Sequence, residues 1–135
     1  MNFMAFIVEQ WILVTGLAIL IILFIRREFV QGGPRLSVHD LTMAVNSDNA
    51  IVLDVRNNNE FKDGHIVDAI NIPYTEVESS IERLNKYRDK QIIIVDKVGQ
   101  HAGTVSQQLT AKGFTASRLR GGIAEWQQQN LPLIK

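Results

Sequence analysis

Residues 3–25 read FMAFIVEQWILVTGLAILIILFI, a run of 23 residues that carries a single charge, Glu9. Taken as one helix, the run is roughly 34 Å long at about 1.5 Å per residue, enough to cross a hydrocarbon layer about 30 Å thick. Residues 11–25 offer water no continuous polar stripe, and the remainder of the chain is too small to bury such a helix inside one core. A cleaved signal peptide would begin with a positive segment and end in a small-x-small site. Here no Lys or Arg precedes the run, and IRREFVQGG follows it. The run therefore predicts one uncleaved N-terminal transmembrane helix over residues 1–25, with the lipid bilayer as its partner. Arg26, Arg27 and Arg35 follow the span and only the amino terminus precedes it, which places the following domain in the cytoplasm. Residues 26–30 can extend the helix, and Gly32, Gly33 and Pro34 break it, so residues 26–35 form a short juxtamembrane linker. If Trp11 anchors the span at the interface, Glu9 lies outside the hydrocarbon. If Glu9 lies inside, its carboxyl needs a partner helix, which makes it a candidate intramembrane contact.

The chain holds 14 Lys plus Arg against 14 Asp plus Glu in 135 residues, and all 14 basic groups lie at or beyond residue 26. A balanced charge and a pI near 6.8 argue against a nucleic-acid partner, which requires a basic excess. There is no cysteine. Disulfides, thiolate metal sites and any nucleophilic sulfur belonging to this chain are thereby excluded.

From residue 36 onward the pattern alternates between strands and helices. Ser37 caps a helix, with Asp40 completing a capping box and Leu41, Ala44 and Val45 as its apolar side. Residues 50–55, AIVLDV, read as a strand buried on both faces, closed by Asp54 and Arg56. The three Asn start a short helical turn around Glu60 and Phe61 that Asp63 and Gly64 stop, and residues 69–72 form a short strand ending at Pro73. Residues 79–84 read as an amphipathic helix. QIIIV at 91–95 is the strongest strand and should be central. A helix over 101–112 turns Ala102, Val105, Leu109 and Ala111 inward and ends at Gly113. A strand at 117–119, the pair Gly121 and Gly122, and a helix over IAEWQQQ complete an α/β domain with a mainly parallel sheet flanked by helices. In such a sheet, function gathers where a central strand hands over to a helix N-terminus, here residues 96–102.

DVRNNNEFKDGHIVDAINIP at 54–73, IIIVDKVGQHAGTVSQQLTAKGF at 92–114 and LRGGIAEWQQQNLP at 119–132 together resemble the signatures of rhodanese-like domains, in the family's order. The resemblance covers residues 36–135. With the apolar N-terminus, the chain is most similar to the single-span, YibN-type members of bacterial inner membranes. Active members are sulfurtransferases whose loop, typically Cys-x-x-Gly-x-Arg, carries sulfur as a cysteine persulfide. Laid on this chain through Gly99, that loop puts Asp96 at the cysteine position and His101 at the arginine position. Asp68 stands where the family usually has a glycine.

An aspartate oxygen cannot form or carry a persulfide, so no catalytic residue and no sulfurtransferase activity are expected of this chain alone. The amides of such a loop normally cradle an anion, and Asp96 is expected to supply that anion itself, closing the loop or capping the helix. Phosphoryl transfer to Asp96 would need Mg²⁺ and further carboxylates or cationic clamps, and only Lys97 and His101 are nearby in sequence. His39 falls on the polar side of its helix, His65 is placed to fix the GHI turn, and His101 should sit at a pocket mouth. The spacing of His65, Asp96 and His101 matches no metal motif, and no cofactor is expected. Gly121 and Gly122 read as a site of close backbone packing. The expected function is a membrane-anchored, catalytically inactive rhodanese-like domain that binds a cytoplasmic or membrane protein. The former active-site loop, Asp96, Lys97, Val98, Gly99, Gln100 and His101, supplies the surface, with Lys97, Val98, Gln100, His101 and His65 as contacts. The alternative is an accessory role in sulfur transfer, docking a sulfur carrier or a Cys-bearing partner.

Overall fold

The computed structural model of the chain describes residues 2–30 and 33–135, in two compact units, the first ending at Val30. The apolar run does not form one helix. It folds as α1 (Phe3–Glu9) and α2 (Trp11–Val30), bent by 89°. Asn2 caps α1 by accepting the Ala5 N–H at 2.7 Å. The break falls at the one polar pair within the run, Glu9 and Gln10. The Gln10 N–H still reaches the Phe6 carbonyl, while the Gln10 carbonyl already accepts the Val14 N–H, so one residue closes one helix and opens the next. No single helix among the described residues is long and apolar enough to cross a membrane; the bent pair meets that test of length and composition only together. Side chains such as Phe3, Ile12, Leu13 and Leu20 are exposed along both helices. Glu9 ends α1 at the corner, exposed, and Trp11 opens α2. The expected helix breaker Gly32 lies outside the described residues.

The second unit is built on a five-stranded sheet in the order β1-β5-β4-β2-β3, with every pair parallel. The strands are β1 (Arg35–Leu36), β2 (Ala50–Asp54), β3 (Ile70–Asn71), β4 (Gln91–Val95) and β5 (Thr115–Leu119). QIIIV is the central strand, as its apolar density requires: Ile92, Ile93, Ile94 and Val95 are fully buried because both faces are covered. On one face, Ile92, Ile94 and Leu53 pack with Val105 and Leu109 of α6 (Ala102–Ala111) and with Leu84 of α5 (Ile81–Leu84). On the other face, Ile93, Val95 and Val52 pack with Leu41 of α3 (Val38–Asn46) and with Ile123 and Trp126 of α7 (Gly122–Gln128). The capping box of Ser37 and Asp40 forms as read. The short α4 (Asn58–Asp63) is capped by Asn57 and stopped at Gly64.

Three local readings change. Residues 79–84 hold only the single turn of α5, between 3₁₀ turns at Glu78–Ser80 and Asn85–Tyr87. Ala111 is exposed and Ser106 is buried in its place: at about 100° per residue, 102, 105, 106 and 109 share one side of α6, and 111 lies roughly 200° beyond 109. Arg35 and Leu36, read as linker and domain start, pair with Arg118 and Leu119 as an edge strand too short to leave a sequence signal.

The start of α7 docks on the end of β4. The Ile123 N–H donates to the Asp96 carbonyl at 2.8 Å and the Ala124 N–H to the Lys97 carbonyl at 3.0 Å. This approach needs Gly122, whose φ is +61° and where an added Cβ would lie 2.4 Å from the Asp96 carbonyl oxygen. Gly122→Ala is expected to destabilise the protein by about 3 kcal/mol, from left-handed strain plus overpacking. Gly16→Ala, at a helical position with open space around it, should be neutral to stabilising, by up to about 1 kcal/mol. Urea denaturation of the full chain in detergent micelles, followed by far-ultraviolet circular dichroism and by tryptophan fluorescence in a Trp11→Phe background, measures both.

Candidate functional site

Parallel strands deliver their carboxyl ends to one edge of the sheet, and at that edge β4 runs out into Asp96. Asp96 is 3% exposed, yet its carboxylate is well supplied with donors. The Gly99 N–H donates to Oδ1, and the N–H groups of His101 and Ala102 donate to Oδ2 at 2.6 and 3.2 Å. Gly99, at φ +97°, gives the loop the left-handed residue that turns its amide inward. One side chain thus closes the loop and caps α6 from outside that helix, as the sequence reading expected. A carboxylate at a helix N-terminus with three amide donors is a charge-assisted arrangement that tolerates burial.

His101 occupies the N-cap position of α6 but makes no side-chain cap bond. Its ring lies flat on Tyr74, with centroids 3.8 Å apart and planes within 4°. The pair forms one wall of a cavity of about 210 Å³, bordered by Arg56 and Glu60 on one side and by Lys97, Val98 and Gln100 on the other. The four loop residues chosen as contacts, Lys97, Val98, Gln100 and His101, are therefore brought to one mouth. Val98 is 56% exposed there, an apolar side chain offered to solvent at the rim.

His65 is placed elsewhere. It stacks on Phe61 at 3.9 Å, its Nδ1 lies 2.9 Å from the Phe61 carbonyl, and its backbone exchanges 2.8 Å hydrogen bonds with Ile134. It holds the turn and does not line the cavity. Asp68 adopts φ +63° itself, which keeps the turn where the resembling family usually has glycine. His39 is exposed on α3. Among the described residues no group of three His, Asp or Glu could hold a metal.

Two residues of the mouth were not singled out from sequence. Tyr74 follows Pro73 with no motif around it. Arg56 is held rigid: it chelates Asp54 through Nε at 3.0 Å and Nη2 at 2.8 Å, and Nη2 also donates to the Gly64 carbonyl at 2.7 Å. Its signal was the DVR triplet, read only as the end of a strand. The pair is buried, with the side chains 8% and 1% exposed, and it clamps the β2 end to the α4 end.

Residues 37–129 match the rhodanese-like domain. The YibN protein of Escherichia coli is 34% identical over 98 residues, which cover 71% of this chain and 68% of that protein. The adenylyltransferase and sulfurtransferase of Meyerozyma guilliermondii is 30% identical over 108 residues, 73% of this chain but only 25% of that one. In structure, the chain is similar to a crystallised rhodanese-related protein from Thermoplasma volcanium, with a TM-score of 0.69 and 27% identity over 75% of this chain and 97% of the other.

Removing the carboxylate by Asp96→Ala leaves the amides of Gly99, His101 and Ala102 without their acceptor. Stability should fall by about 2–4 kcal/mol, since each buried unsatisfied donor costs about 1–3 kcal/mol and water can reach part of the loop. Sulfate, which can occupy the vacated amides, should raise the melting temperature of Asp96→Ala by more than it raises that of the unsubstituted chain. Thermal denaturation with and without sulfate checks both statements.

Proposed function

Because the chain belongs to the rhodanese-like domain family, whose active members carry sulfur on a loop cysteine, we propose that it is a membrane-attached, non-catalytic member that binds another protein through its former active-site mouth. The observation that carries this reading is the Asp96 carboxylate, which takes up the loop amides that would otherwise hold an anionic substrate. The chain has no cysteine with which to replace the lost nucleophile. A loop closed on itself by its own anion is rigid and chemically quiet, and suited to presenting Lys97, Val98, Gln100 and His101 to a partner. Membrane attachment is supported by the exposed apolar side chains of α1 and α2, which a bilayer would cover. Arg26, Arg27 and Arg35 follow them and favour a cytoplasmic second unit at a bacterial inner membrane. Glu9, at the corner between the helices, is the candidate contact for a second membrane protein.

A second reading, docking a sulfur carrier or a Cys-bearing partner, draws on the sulfurtransferase name of the Meyerozyma relative. It requires the same mouth and differs only in the partner's chemistry.

Photocrosslinking residues at Val98 and at Glu9 in the full chain in native membranes, with controls at Thr110 and Gln128, test the proposal. The expected result is one discrete protein crosslinked through Val98, recovered again by affinity capture of the full chain and lost with Val98→Asp. No adduct above the controls at either position rules the docking reading out. For the purified chain with thiosulfate and cyanide, the expected thiocyanate yield equals the uncatalysed background. Thiocyanate formation that appears only when a sulfur carrier is added would select the second reading.

A further inference from the structure

A second cavity at the same edge of the sheet, of about 190 Å³, shares only Val98 with the Tyr74 cavity and is walled by three arginines, Arg35, Arg118 and Arg120. Their convergence follows from strand register. Arg35 of β1 and Arg118 of β5 are direct partners across a parallel pair, so their side chains leave the sheet on the same side. Arg120 lies two residues beyond Arg118, and its N–H donates to the Leu36 carbonyl at 2.8 Å, which carries the pairing past the strand end. The floor is Gly99, Leu119 and Gly121, with open space where a Cβ on Gly99 would lie.

Three like charges around one hollow oppose folding. Burial and the neighbouring Arg35 charge push the Arg118 guanidinium below its usual value, against the pull of Asp96. Of the carboxylates close by, Asp96 gives both oxygens to loop amides, and Glu125, beside Gly121, accepts from Gln129 through Oε1 at 3.0 Å. Neither Arg35 nor Arg120 has a carboxylate partner among the described residues. An alternating arrangement of charge would remove the repulsion, and the chain instead keeps all three cations around the hollow. Guanidinium groups are planar forks matched to multi-oxygen anions. A carboxylate brings two oxygens and one charge; a tetrahedral phosphate group brings three free oxygens and up to two charges, enough for the forks of Arg35 and Arg120 beside the Arg118 charge.

We propose that Arg35, Arg118 and Arg120 form a binding site for a phosphate group, separate from the protein-docking mouth. The group could come from a soluble phosphorylated compound or from a lipid headgroup, and the two sources are distinguished by experiment.

The full chain in neutral detergent at low ionic strength is titrated with inorganic pyrophosphate and followed by thermal denaturation. In parallel it is placed in nanodiscs of phosphatidylcholine alone or with phosphatidylglycerol, and amide exchange is read at residues 97–99 and 118–121. Arg35→Gln/Arg120→Gln removes two exposed cations. Arg83→Gln/Lys86→Gln, at another cavity, removes the same charge elsewhere. The expected result is a saturable stabilisation or protection in the unsubstituted chain that survives Arg83→Gln/Lys86→Gln. In Arg35→Gln/Arg120→Gln the apparent affinity should fall roughly a hundredfold, the loss of two charge-assisted hydrogen bonds. Stabilisation by pyrophosphate assigns a soluble phosphate, and protection confined to phosphatidylglycerol discs assigns a headgroup. No response to either probe, or an equal response in both double variants, overturns the site. The Arg35→Gln/Arg120→Gln melting temperature without ligand should equal or exceed that of the unsubstituted chain, because a repulsion is removed; this separates loss of binding from loss of fold.

Discussion

Asp96 joins four pieces of backbone that would otherwise meet only through loop, three by its carboxylate and one by its main-chain carbonyl. It stands at the end of β4, takes amides from Gly99, His101 and Ala102, and so fixes both the loop and the first turn of α6. Its own carbonyl then accepts Ile123 at the start of α7, which only a glycine at 122 permits. The position of the mouth, the stacking of His101 on Tyr74 and the exposure of Val98 all follow from that anchorage. Burying a carboxylate is costly, and here the cost is offset because every contact it makes is with a donor whose direction the fold has already set.

The same carboxylate also occupies the inside of the loop. An internal anion sits among the loop amides and holds the loop closed. The loop borders two surfaces: a mouth whose rim carries the exposed Val98, and an arginine-walled hollow that shares that residue. As proposed, the first binds a protein and the second a phosphate group, so one loop would border two sites of different chemistry.

The first unit illustrates how composition and geometry part company. Apolarity over residues 3–25 is a property of the residues themselves and is plain on reading. The 89° bend is not, because Glu9 and Gln10 are compatible with a continuous helix and neither Gly nor Pro marks the break. Within the second unit, the capping box at Ser37, the central strand QIIIV, the Asp96 cap and the close packing at Gly122 were all legible, since each rests on a local rule about one residue type. The single turn of α5 and the exposure of Ala111 were not, since neighbours decide them.

By itself the sequence determined the family, the parallel α/β architecture, the missing cysteine and the anion that fills the loop, because these depend on residue identity and on spacing along the chain. Tertiary structure alone decided that Tyr74 pairs with His101, that His65 stays away from the mouth, and that Arg35 meets Arg118 and Arg120. These residues lie tens of positions apart and carry no signal in common. Only the parallel register of β1 on β5, and the turn after β3 that passes the end of β2, where the Tyr74 N–H donates to the Val55 carbonyl, place them within reach of one another.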